Sequence, residues 1–122
     1  MDIKDLKVYQ LALQLIVPVE KLAKLVEAND KILATNLRKT SRQISPSIAE
    51  GFSKRASQAE FKRFLAISMG SSDEMIAHLE QVKILEFSNV KAKTCDALIE
   101  RYIYLSKQLN RLISIIKEKS DL

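Results

Sequence analysis

Of the side chains most used to relay protons near neutral pH, ligate soft metals or attack carbonyls, histidine and cysteine occur once each, His78 and Cys95, in 122 residues. A structural or catalytic zinc site draws on several His, Cys or carboxylate ligands, which these two cannot build within one chain. Di-iron bundles place a Glu-x-x-His motif on each of two helices, and the residue three before His78 is Met75. Neither a Ser/His/Asp nor a Cys/His constellation can be assigned, and no glycine-rich phosphate loop is present. Helical RNA-cleaving domains commonly put an arginine a few residues before a histidine; here those positions are Ser72, Asp73 and Glu74. Asp73 and Glu74 read as solvated helix charges and His78 as a surface or half-buried side chain. The expectation is a protein that is not an enzyme and needs neither cofactor nor metal.

The remaining chemistry is charge. The chain carries a net +5, distributed unevenly. Residues 1–37 balance, whereas residues 38–63 hold Arg38, Lys39, Arg42, Lys54, Arg55, Lys62 and Arg63 against Glu50 and Glu60 alone. Residues 64–100 are net acidic and residues 101–122 basic again. A cluster of this kind attracts phosphate backbones with little choice of sequence, and those seven cations are the candidate nucleic-acid contacts. Phe52, Phe61 and Phe64 lie close enough in sequence to stack on bases, although the spacing of Phe61 and Phe64 is that of core residues.

Four helical runs would have to position these side chains, at about 4–27, 31–51, 57–86 and 90–118. The first has two apolar rows, one through Tyr9, Ala12, Ile16, Val19, Ala23 and Val26, the other through Val8, Leu11, Leu15, Leu22 and Leu25. Such a broad apolar surface calls for cover on more than one side, hence a closed homo-oligomer. Pro18 removes a backbone donor and crowds the carbonyl of Gln14, which predicts a bend. The second run turns Leu33, Leu37, Ile44 and Ile48 to one face with Thr40 near them. Pro46 sits inside this run, and Gly51 is placed to end it in the left-handed region. Ser57-Gln-Ala-Glu60 has the capping-box pattern. The third stripe runs through Phe61, Leu65, Ser68, Ser72, Met75, Leu79 and Val82, with Gly70 amid the small residues. A glycine inside a helix costs about 1 kcal/mol, so Gly70 is expected to admit a close-packed neighbour whose approach a leucine there would block. After Ser88 or Asn89 as cap, the fourth stripe is Leu98, Tyr102, Leu105, Leu109, Leu112 and Ile116.

Two glycines and two prolines leave little material for hairpins, so long helices with short joints are expected: an all-α, antiparallel up-down-up-down four-helix bundle in one domain, 1–122. The opening "MDIKDLKVYQ" lacks the build of a signal or transit peptide, one cysteine allows no internal disulfide, and no apolar run approaches the roughly 20 residues of a membrane span. A cytoplasmic, membrane-free protein is expected.

"DLKVYQLALQL" (Asp5–Leu15), "LRKTSRQISPSIAEGFSKRA" (Leu37–Ala56) and "SQAEFKRFLAISMGSSDEM" (Ser57–Met75) closely resemble, in order and spacing, the bundle family first recognised in proteins encoded by intervening sequences of bacterial 23S rRNA genes. The resemblance covers about residues 5–87. Ser47 stands where the family usually has Asn, and Tyr9 where it often has Trp or Phe. The resemblance implies a ring-like homopentamer without established catalysis. It also implies kinship with the accessory proteins of diversity-generating retroelements, which bind a reverse transcriptase and nucleic acid through a basic pentamer surface. Two readings follow. In one, the chain is a bacterial accessory protein that binds RNA or DNA through residues 38–63. In the other, it is a scaffold that docks a protein such as a reverse transcriptase, with little nucleic-acid binding of its own.

Overall fold

The structure, a computed structural model, describes the backbone of residues 1–120 and the side chains of residues 1–116. A 3-10 turn at Ile3–Asp5, capped by Asp2, leads into α1 (Lys7–Gln14) and α2 (Ile16–Glu27); α3 (Lys31–Ser53), α4 (Gln58–Ile84) and α5 (Ala92–Ser120) complete the bundle. No strand occurs among the described residues. The first run is thus two helices meeting at Leu15, because Pro18 cannot donate to Gln14 and the ladder resumes with Val19 N–H bonding the Leu15 carbonyl at 3.1 Å. Counted as one bent arm, α1 and α2 make four helical layers with α3, α4 and α5. Pro46 neither ends nor splits α3; it sits on an exposed face of a continuous helix.

Contacts between neighbours climb one helix while descending the other. Glu20 meets Arg42 and Glu27 meets Arg38 between α2 and α3. Thr40 meets Glu74, and Ser68 Oγ reaches the Ile44 carbonyl, between α3 and α4. Lys83 meets Asp96 and Ser72 meets the Tyr102 carbonyl between α4 and α5. α2 and α3, α3 and α4, and α4 and α5 are therefore antiparallel pairs, and α5 closes the bundle against α1, with Pro18 at the start of α2 beside it.

The apolar stripes of α3, α4 and α5 are the core as their spacing requires: Leu37, Ile48, Leu65, Met75, Leu79, Leu105 and Leu109 are inaccessible to solvent. Phe61 and Leu112 are half-buried at its edge. Ser68 and Ser72, fully buried, donate to the backbone carbonyls of Phe64 (2.9 Å) and Tyr102 (3.1 Å), so their small side chains bring neighbouring backbones close without leaving a hydroxyl unpaired.

Four expectations need correction. Gly70 is exposed, and a Cβ built there would meet nothing within 4 Å, so it is not a packing device. Gly51 is one instead: it lies within α3 without positive φ, and a Cβ there would fall 2.8 Å from the Cβ of Phe64. The two apolar rows of the first arm are largely covered by the bundle itself; among the second row only Leu25 is exposed, at 45%. That arm therefore does not by itself demand a partner. Finally, neither Ser88 nor Asn89 caps α5. Asn89 instead bonds Leu25 O and Asn29, tying the α4–α5 loop to the end of α2, while Glu86 takes the left-handed turn (φ 50°) that ends α4.

Candidate nucleic-acid interface

The seven cations of residues 38–63 fall into two groups, because Arg38 and Lys54 stand sixteen residues apart on one helix, about 24 Å at 1.5 Å per residue. The first group faces α2. Arg38 Nε donates to both oxygens of Glu20 (3.2 and 3.1 Å) and its Nη1 to Glu27 Oε1 at 2.7 Å; its side chain is only 21% exposed. Arg42 Nη2 donates to Glu20 Oε2 at 3.1 Å. The Arg38 hydrogen bond holds the Glu20 carboxyl below its ordinary pKa, against a smaller opposing push from burial. Arg38 and Arg42 thus clamp α3 to α2 with their charge neutralised locally. Lys39 is exposed and makes no ion pair among the described residues.

The second group crowns the α3–α4 turn. Here α3 ends through 3.1 and 3.2 Å backbone bonds from Lys54 N–H to Gly51 O and from Arg55 N–H to Phe52 O, and α4 begins where Ser57 Oγ accepts from Glu60 N–H. Only that half of the capping box forms, since the Glu60 carboxylate turns to Arg63 Nε at 2.7 Å. The Arg63 bond lowers the Glu60 pKa. Arg55 places its guanidinium 4.0 Å over the Phe52 ring and donates to the Phe52 carbonyl at 2.9 Å. Phe52 in turn meets Phe61 edge-on, 6.4 Å between centroids. Arg63 and Lys54 both lie against Phe64, at 4.4 and 4.9 Å from its centroid, and Lys54 Nζ also sits 3.4 Å from Glu50. Lys62 is half-buried and makes no ion pair among the described residues.

The rings are consequently occupied. Phe52 is buried, Phe61 and Phe64 are half-buried, and cations lie against the rings of Phe52 and Phe64, which steady the basic side chains instead of offering platforms for bases. What the turn presents outward is guanidinium and ammonium, the chemistry of phosphate contacts.

Elsewhere, His78 Nε2 lies 3.3 Å from Thr40 Oγ1, which also donates to Glu74 at 3.2 Å, and His78 Nδ1 is buried without a partner. Cys95 is fully buried, and burial raises its thiol pKa. Among the described residues, no group of three or more His, Cys, Asp or Glu side chains is arranged to hold a metal ion, and no helix is long and apolar enough to cross a membrane. Sequence reasoning did not join Lys7, Lys91 and Lys93 to Arg101 and Arg111, which the fold gathers with them from both ends of the chain along the α1–α5 seam. The basic balance after residue 100 pointed to Arg101 and Arg111 on the last helix; separation in sequence hid the other three.

Neither the curated proteins nor the solved structures contain a significant match to this chain. The family model described as 23S rRNA-intervening sequence protein matches residues 4–111, nearly the full helical span and every residue of the α3–α4 turn. With that match extending well beyond the motifs between Asp5 and Met75, the chain belongs to the 23S rRNA-intervening sequence protein family.

Proposed function

We propose that this protein is a non-catalytic, oligomeric nucleic-acid-binding bundle of the bacterial cytoplasm, and that the α3–α4 turn is its contact surface. The observation that carries the reading is the fixing of Arg55, Lys54 and Arg63 on the rings of Phe52 and Phe64. Long basic side chains lose rotamer entropy on binding, and seating them beforehand reduces that loss. Lys62 adds charge beside them and Lys39 extends the basic surface along α3. Arg38 and Arg42 contribute to the clamp on α2 instead. A homopentamer, the assembly the family resemblance implies, would repeat the turn and multiply its field; exposed Val17, Ile32 and Ile84 supply apolar surface for subunit contact.

Binding of a fluorescent mixed-sequence RNA tests the reading. The parent should bind with an affinity falling steeply as salt rises, indifferent to base order, and the variant Lys54→Glu/Arg55→Glu/Lys62→Glu/Arg63→Glu should bind at least tenfold more weakly with unchanged helical circular dichroism. Undiminished binding by that variant removes the turn from the mechanism. No binding by the parent at low salt leaves the scaffold reading in its place. Light scattering on the same samples should give a multiple of the 13.9 kDa chain mass, and a monomeric mass would end the oligomer.

A further inference from the structure

A second set of cations, away from the α3–α4 turn, is left without carboxylate partners among the described residues. Three shallow depressions, of about 490, 190 and 170 Å³, lie in a row where α5 packs against α1 and the start of α2. Arg101 lines both the first and the second, and the Lys7 ammonium, bonded to the Tyr104 hydroxyl, joins the second to the third. They form one groove. Its floor is aliphatic, with Leu11, Leu15, Leu98 and Leu112 the principal contributors. Its rim carries Lys7, Lys91, Lys93, Arg101 and Arg111 against a single acid, Glu100, and none of those five cations forms an ion pair among the described residues.

We infer that the α1–α5 groove docks an acidic amphipathic helix of a partner protein, apolar side chains filling the three depressions and carboxylates meeting the five rim cations. An apolar floor between two basic edges complements a helix with an apolar stripe flanked by Glu or Asp. From Lys93 to Ile115 the groove follows about 33 Å of α5, room for up to about six turns of a partner helix laid alongside. Nucleic acid fits the floor poorly: the sugar-phosphate backbone carries no apolar side chains to fill the depressions, and Lys7 already covers the one aromatic ring of the groove, Tyr104. The surface is distinct from the α3–α4 turn, so the two proposals stand or fall separately.

The probe is a fluorescein-labelled 21-residue peptide with Leu at i, i+3, i+4 and i+7 positions and Glu flanking them, compared with a scrambled peptide of the same composition. The full-length protein should bind the patterned peptide at least tenfold more tightly than the scrambled one. Amide chemical-shift changes should be confined to α1, the start of α2 and α5. Two independent rim variants, Lys91→Glu/Lys93→Glu and Arg101→Glu/Arg111→Glu, should each weaken binding at least tenfold. Ala97→Trp, which fills the largest depression from an exposed position, should do so without altering charge. The fourfold Glu variant of the α3–α4 turn should bind the peptide like the parent. Equal binding of the two peptides, or shifts centred on the α3–α4 turn, overturns the inference. It is also overturned if Ala97→Trp dissociates an oligomer, which makes a second copy the occupant. Loss of RNA binding in the rim variants with peptide affinity unchanged would overturn it in favour of nucleic acid.

Discussion

Replacing each of the two glycines by alanine, one at a time, should move stability in opposite directions. At Gly51 the new methyl would stand 2.8 Å from the Cβ of Phe64, 3.3 Å from the Phe61 carbonyl oxygen and 3.4 Å from Phe61 Cδ1. Ordinary carbon contacts begin near 3.4 Å, so α3 and α4 must separate locally by about 0.6 Å. Phe64 Cβ and the Phe61 carbonyl belong to the helix scaffold, and no rotamer change relieves them. Overpacking of this kind costs about 1–3 kcal/mol. At Gly70 the methyl meets nothing within 4 Å, and only the helix preference of Ala over Gly remains, up to about 1 kcal/mol in favour of the variant. That preference is common to both sites apart from fraying near the end of α3. The difference between the two variants therefore isolates the steric cost, about 1–3 kcal/mol, or roughly 4–12 °C in Tm for a chain of this size. Thermal melts by circular dichroism, at one protomer concentration to hold any assembly constant, measure it. Gly51→Ala melting at or above Gly70→Ala would refute the close approach of α3 and α4 at Gly51. Gly70→Leu, aimed into open space, should fold like the parent.

Acid should loosen the α2–α3 clamp. Because Glu20 has a folded pKa below its unfolded one, its stabilisation is fully present above the ordinary carboxylate range and lost as pH falls through the lower folded value. Urea melts of the parent and Arg38→Met should therefore differ most near neutrality and converge below about pH 4; a gap independent of pH would refute the ionic account. Cys95, solvent-inaccessible and with a raised pKa, should react with an aromatic disulfide reagent at least a hundredfold more slowly in the native protein than in urea. Fast native labelling would place the start of α5 outside the core.

The helices and the core faces of α3, α4 and α5 were determined locally. An apolar residue every three or four positions must lie on one side of a helix, whatever it packs against, so Leu37, Ile48, Leu65, Leu79, Leu105 and Leu109 could be assigned to the interior from spacing alone. Pro18 disclosed the break at Leu15 for the same reason, since a missing donor acts within one turn. The basic residues of the candidate site were equally legible, but their availability was not. Whether Arg38 is free depends on Glu20 and Glu27 arriving from another helix, and whether a phenyl ring can take a base depends on Arg55 and Arg63 reaching it first. The two glycines make the point most directly: in the chain Gly51 reads as a helix end and Gly70 as a close-packing site, and only the approach of α4 to Gly51, with nothing near Gly70, reverses which of them is the packing contact. The α1–α5 groove was determined the same way, because its cations lie up to about a hundred residues apart and become neighbours only when α5 closes the bundle against α1. Periodicity assigns a residue to a face; which face it meets is a relation between helices, and that relation exists only in the folded chain.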